Sequence, residues 1–157
     1  MNKVKKILAP TDLSDLSCIG LRYAMETAGE AQAEVVVYLA VPIGEDWFPS
    51  SEGANPERDY VAREKILLDK FLRDKFADEL GRLKITQKVA VGAASSSIVE
   101  FAEHEKVDMI VMSTHGRTGL AHILIGSVTE KVVERAPCPV LVVPRPRQAS
   151  TSKPPSA

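Results

Sequence analysis

The residues with the most chemical capacity lie in one stretch, Ser113 to Lys131, STHGRTGLAHILIGSVTEK, where three glycines, two histidines, an arginine and several hydroxyls separate an apolar run from a helical one. Glycine lets the main chain approach a ligand without a Cβ in the way, here at Gly116 and Gly126. Arg117 offers a rigid positive fork, Ser127 and Thr129 offer hydroxyl donors, and a helix starting near Ser127 adds unpaired backbone N–H groups. Together these suit a phosphate. The same residues also have a plainer use: Ser127-x-x-Glu130 is a capping box, and Gly119 and Gly126 are ordinary turn glycines. The imidazole of His115 invites an acid–base role, yet no motif sets a carboxylate or nucleophile beside it. It is therefore expected to steady the turn or touch a phosphate oxygen, with no catalytic residue assigned.

Such a loop needs a scaffold, and the hydrophobic periodicity supplies one. KKILAP (Lys5 to Pro10) and the continuously apolar EVVVYLAV (Glu34 to Val41) read as strands, the second covered on both faces as in a parallel sheet. TQKVAV (Thr86 to Val91), VDMIVM (Val107 to Met112) and PVLVV (Pro139 to Val143) follow the same logic. Between them lie helical patterns. The first carries Cys18, Leu21, Met25 and Ala28 on one face and is expected to stop at Gly29. The second runs from Arg58 to about Leu83, with Val61, Leu68, Leu72, Phe76 and Leu80 facing inward and charges outward. A third is opened by the capping box Ser97-x-x-Glu100, and a fourth begins at Ser127. Pro42 to Pro56, around Trp47, reads as a surface loop. Five strands alternating with four helices require right-handed crossovers, hence an α/β fold: a three-layer α/β/α sandwich on a five-stranded, mostly parallel sheet. In such sheets ligands bind beyond the carboxyl ends of the strands, where strand order reverses. The loops after the first, second and fourth strands qualify.

Composition bounds the partners. The chain has 157 residues, one domain's worth, and a formal net charge of -1, which gives no global attraction to nucleic acid or an anionic membrane. No apolar run approaches the length of a membrane span or secretory segment, so a cytoplasmic location is expected. Cys18 and Cys138 are too isolated for a disulfide framework or zinc site and are read as small buried apolar residues. Residues 1–144 form the expected domain, and 145–157, rich in proline and serine, a disordered tail in which Arg145 and Arg147 are solvated. His104 and His122 are expected to face solvent, and Leu124 and Ile125 to pack beneath the glycine loop.

From KKILAPTDLS to PCPVLVV the sequence resembles the universal stress protein family. Nucleotide-binding members carry Gly-x2-Gly-x9-Gly-(Ser/Thr) after the fourth strand. Gly116, nine residues and Gly126-Ser127 match its second half, Ser113 stands at the first glycine, and Gly119 falls inside the spacer. The resemblance implies strand order 3-2-1-4-5 in an adenine nucleotide alpha hydrolase-like fold. It implies ATP as ligand, with Mg²⁺ or Mn²⁺ bound through the phosphates. Asp12, in the stretch Pro10-Thr11-Asp12, would meet ribose or base, and the backbone of Val41 would meet adenine. Met112, Ser113, His115, Gly116 and Arg117, with Gly126, Ser127, Val128 and Thr129, would complete the site. A homodimer through the last strand, CPVLVVP, and an unidentified protein partner are also implied. Three functions stay open: a nucleotide-sensing module with little or no hydrolysis, a homodimeric interaction protein without nucleotide, and a slow ATPase. ATP pyrophosphatases carry a Ser-Gly-Gly-x-Asp-Ser loop after the first strand, where this chain has APTDLSDLS.

Overall fold

A computed structural model describes residues 2–44, 55–115 and 125–146. The elements run β1 Lys6–Thr11, α1 Ser17–Ala31, β2 Glu34–Val41, α2 Pro56–Arg82, β3 Ile85–Val91, α3 Ala94–His104, β4 Met109–Ser113, α4 Ser127–Arg135 and β5 Val140–Val143. The five strands form one parallel sheet in the order β3-β2-β1-β4-β5, as expected. β2 sits between β1 and β3 and is buried on both faces, which its uninterrupted apolar sequence requires.

Alternation of side chains along the strands divides the interior in two. Val35, Val37, Leu39 and Val41 of β2 join Leu21, Met25 and Ala28 of α1 and Leu68, Leu72 and Phe76 of α2 in one cluster. Val36 and Tyr38 face the other way, onto Ile98 and Ala102 of α3 and Val132 of α4. Val61 and Leu80 of α2 pack against the first cluster, half-buried. The opposite side of α2 carries the ion pairs Lys70–Asp74 and Arg73–Asp69, one turn apart and exposed. Both cysteines are half-buried, Cys18 against the first cluster and Cys138 against the second, and burial pushes each thiol above its ordinary pKa.

Two helix boundaries depart from expectation, at α1 and α3; α4 starts where expected, and neither expected capping box forms. α1 runs past Gly29 to Ala31 and ends where Gln32 turns left-handed (φ 55°), its N–H bonding the Ala28 carbonyl. α3 starts three residues before Ser97, at Ala94, so Ser97 and Glu100 form no capping box. α4 starts at Ser127 with Gly126 as its N-cap, so Ser127 and Glu130 form none either. In both cases the serine lies inside the helix, where its hydroxyl cannot reach back to the first-turn amides as a cap does.

The sheet opens where the site lies. β1 pairs with β2 through Thr11, but its pairing with β4 covers only Ile7↔Met109 and Leu8↔Ile110. Pro10, two residues on, has no N–H with which to extend a ladder. β1 and β4 therefore part toward their carboxyl ends, at the point where strand order reverses.

Candidate functional site

Beyond that parting is a cleft of about 240 Å³, small-molecule in scale. The β1 end contributes Pro10, Thr11 and Asp12, the β4 end Met112, Ser113 and His115, and the start of α4 Gly126, Ser127, Val128 and Thr129. Ten of the residues expected from sequence thus converge on one concavity. Gly116, Arg117, Gly119, His122 and Leu124 lie outside the described residues, as do Trp47 and Arg147.

The loop after β1 is built from hydroxyls. Leu13 takes a left-handed conformation (φ 64°), unfavourable for a residue of its size and held by its neighbours. Its N–H donates to Thr11 Oγ1 at 3.0 Å, and Thr11 Oγ1 pairs with Ser17 Oγ at 2.7 Å. Ser17 in turn donates to the Ser14 carbonyl at 2.7 Å. Asp12 Oδ1 accepts the Ser14 N–H at 3.0 Å and the Ser14 hydroxyl at 2.5 Å, so the carboxylate is oriented by its own turn. Thr11 and Ser17 are buried, and each hydroxyl is satisfied.

The other wall depends on close backbone approaches. The Gly126 N–H donates to the Thr114 carbonyl at 2.6 Å, and the Thr114 N–H donates to the Val143 carbonyl at 3.1 Å. A Cβ at Gly126 would lie 3.1 Å from that Thr114 oxygen, which is why glycine suits the junction. Ser113 donates its hydroxyl to the His115 carbonyl at 2.9 Å, and His115 Nδ1 lies 3.1 Å from Thr114 Oγ1. The serine at the first motif position therefore spends its hydroxyl within the loop.

Three expectations are revised. The sequence suggests that Thr129 offers its hydroxyl to a ligand; the side chain is buried, and Oγ1 donates instead to the Ser113 carbonyl at 3.0 Å. What Thr129 brings to the cleft is its position in the first turn of α4, a turn that no side chain caps among the described residues. Val41 does not line the cleft: its side chain belongs to the cluster on the far face, and its carbonyl accepts the Gly92 N–H at 2.9 Å. Its neighbours Tyr38 and Ala40 line the cleft instead, with Ala94 and Ile98 of α3 and Ser17 of α1. Ile125, expected to be packed down, is exposed.

Sequence reasoning missed those five lining residues. Tyr38 and Ala40 alternate with the far-face residues of β2, so a strand already known to be two-sided could have marked them. Burial pushes the Tyr38 phenol above its ordinary pKa, keeping it neutral, while its oxygen pairs with Ser97 Oγ at 2.5 Å. Gly20 was missed as well. A Cβ there would lie 2.7 Å from the Ser113 backbone nitrogen, so α1 packs directly on the end of β4 that carries the site. His104, at the last turn of α3, is exposed as expected and lies 3.3 Å from Glu105.

Comparison with known proteins places this architecture. The sequence model of the universal stress protein family matches residues 3–144. The chain belongs to that family. Among curated universal stress proteins, MJ0531 of Methanocaldococcus jannaschii is 39% identical over 94% of this chain and 86% of its own length. MJ0577 of the same organism is 34% identical over 90% of this chain and 95% of its own. A solved structure of MJ0577 superposes with a TM-score of 0.70 at 31% identity, covering 94% of this chain and all (100%) of that one. A universal stress protein solved in complex with cAMP shares the fold, with a TM-score of 0.68 at 23% identity over 90% of this chain and 98% of that one. Among the described residues of this universal stress protein, no helix is long and apolar enough to cross a membrane.

Proposed function

We propose that this universal stress protein binds an adenine nucleotide, ATP foremost, as a regulatory module with little or no hydrolysis. The carrying observation is the start of α4: a helix N-terminus with glycine as N-cap and, among the described residues, no side-chain cap, opening into a cleft that also holds Asp12. First-turn amides and the positive end of the helix dipole favour a phosphate. The Asp12 carboxyl group on the facing wall would accept from ribose hydroxyls or an exocyclic amine. The fold-level relative in complex with cAMP holds an adenine nucleotide, which agrees with this choice of base. Mg²⁺ or Mn²⁺ would enter on the phosphates.

Slow or absent turnover follows from how the titratable groups are held. Asp12 is engaged by the Ser14 amide and hydroxyl, and His115 by Thr114, so neither is presented as a base toward an attacking water. Calorimetric titration with ATP and Mg²⁺ tests the reading, and absence of binding at millimolar nucleotide defeats it. A steady-state assay giving many turnovers per second would make it an ATPase instead. Mass spectrometry of nucleotide released on denaturing the purified protein identifies the ligand directly.

A second feature supports self-association. β5 is an edge strand, its four residues Val140–Val143 all apolar and half-buried. An apolar edge of this kind invites pairing. A homodimer through antiparallel β5 strands would cover it, with or without nucleotide.

A further inference from the structure

The cleft has two chemically different ends. One is polar, made by Asp12, Ser113 and the start of α4; the other is made by Tyr38, Ala40, Ala94, Ile98 and Met112. Among the described residues of the second end, the only polar side-chain group is the Tyr38 hydroxyl, and it is already committed to Ser97: its oxygen is 2.5 Å from Ser97 Oγ and 3.3 Å from the Ser97 carbonyl, to which it donates. Selection there must come from shape, and the shape depends on how far α3 stands from β2. Among the described residues no side chain caps the start of α3, and the Tyr38–Ser97 pair is a polar tie that holds its first turn against the strand. Phe101, one turn further along α3, packs on the Tyr38 ring, centroids 4.9 Å apart. Ala40 and Ala94 contribute only methyl groups, which leaves the space that this tie defines.

We infer that Tyr38 and Ser97 are positioning residues for ligand selectivity: their hydroxyl pair sets the width of the apolar end so that it takes an adenine ring and excludes a bulkier purine. The inference rests on the nucleotide reading above. Releasing the tie lets the first turn of α3 move, which weakens the snug base and relieves the excluded one.

The test is competition calorimetry on the full chain with Mg²⁺, comparing ATP and GTP for the native protein, Tyr38→Phe, Ser97→Ala and the double variant. Each single change should lower ATP affinity about fivefold, the worth of one hydrogen bond, and shrink the ATP-to-GTP preference by at least that factor. The double variant should lose no more than either single change, because both remove one shared contact. Should Tyr38→Phe fail to fold, Ser97→Ala, which alters only a half-buried helical residue, carries the same comparison. Equal losses of ATP and GTP, unchanged ATP affinity, or a native protein that binds both alike would overturn the spacer role while leaving nucleotide binding intact. A native protein that binds neither would overturn the nucleotide reading and this inference with it.

Discussion

Thr129 Oγ1 donates to the Ser113 carbonyl at 3.0 Å, and this bond joins the first turn of α4 to the last residue of β4. Ser113 is thereby held from two sides, since Gly20 of α1 packs against its backbone nitrogen. The strand end that lines the cleft is positioned by a hydroxyl in one helix and by the absence of a side chain in another.

Thr129→Val keeps the volume and removes the donor, leaving a partly buried carbonyl unpaired at a cost of about 1–3 kcal/mol. Thr129→Ser, which keeps the hydroxyl, should cost clearly less. Urea unfolding of both variants measures the difference, and equal midpoints would show that the bond contributes nothing.

Two glycines in α1 should respond to alanine with opposite signs. At Gly20 the added Cβ meets backbone atoms of Ser113 and Met112 at 2.7 to 3.0 Å, so the strand or helix must shift, costing about 1–3 kcal/mol. At Gly29 the nearest atom is the Leu83 Cδ2 at 3.7 Å, an ordinary contact, and Gly29→Ala should stabilise by about 0.5–1 kcal/mol through helix propensity. Thermal melts of the two variants decide it.

Gly126→Val tests the loop junction. Its Cβ would press on the Thr114 carbonyl at 3.1 Å, and the extra methyls would enter the mouth of the cleft. ATP affinity is expected to fall by about tenfold or more, a loss of roughly 1.4 kcal/mol. Substituting the exposed His104 should leave affinity unchanged, so similar losses at both positions would remove the loop from the site.

The Glu34 carboxyl is held below its ordinary value of 4.5, first by the hydrogen bond from Thr86 and then by Lys84, against the opposing effect of burial. A carboxylate depressed in the folded state adds stability above the unfolded pKa and loses it as pH falls through the folded one. Thr86→Val should therefore reduce stability at pH 7 and flatten the pH dependence below about 4.5. Chemical denaturation at pH 3 and pH 7 measures this; a parallel loss at both would show that the pair is not pH-linked.

Val142→Lys, on the β5 edge, should shift the mass measured by light scattering from two chains to one. A native protein already at one-chain mass would refute pairing through this strand.

Much of the scaffold is readable from residue order because it depends on local pattern. The bounds of Glu34–Val41 are legible to the residue, since an unbroken β-branched run has few other uses. Helix starts are less legible. Ser97 and Ser127 each stand three before a glutamate, as a cap would, but α3 already starts at Ala94 and its Ser97 turns toward Tyr38, while Ser127 is the first residue of α4, with Gly126 at the cap. Gly29 lacks the left-handed turn that ends its helix, a role taken by Gln32.

By itself the sequence determined the layered parallel sheet, its family and the strand ends that carry the site, because periodicity and spacing act over a few residues. Only tertiary structure decided that Thr129 and Ser113 spend their hydroxyls inside the fold, that Tyr38 and Ala40 line the cleft in place of Val41, and that Gly20 lets α1 reach β4. Each of those depends on which atoms from distant elements come within bonding or contact range, and that is set by packing across the sheet, not by neighbours along the chain.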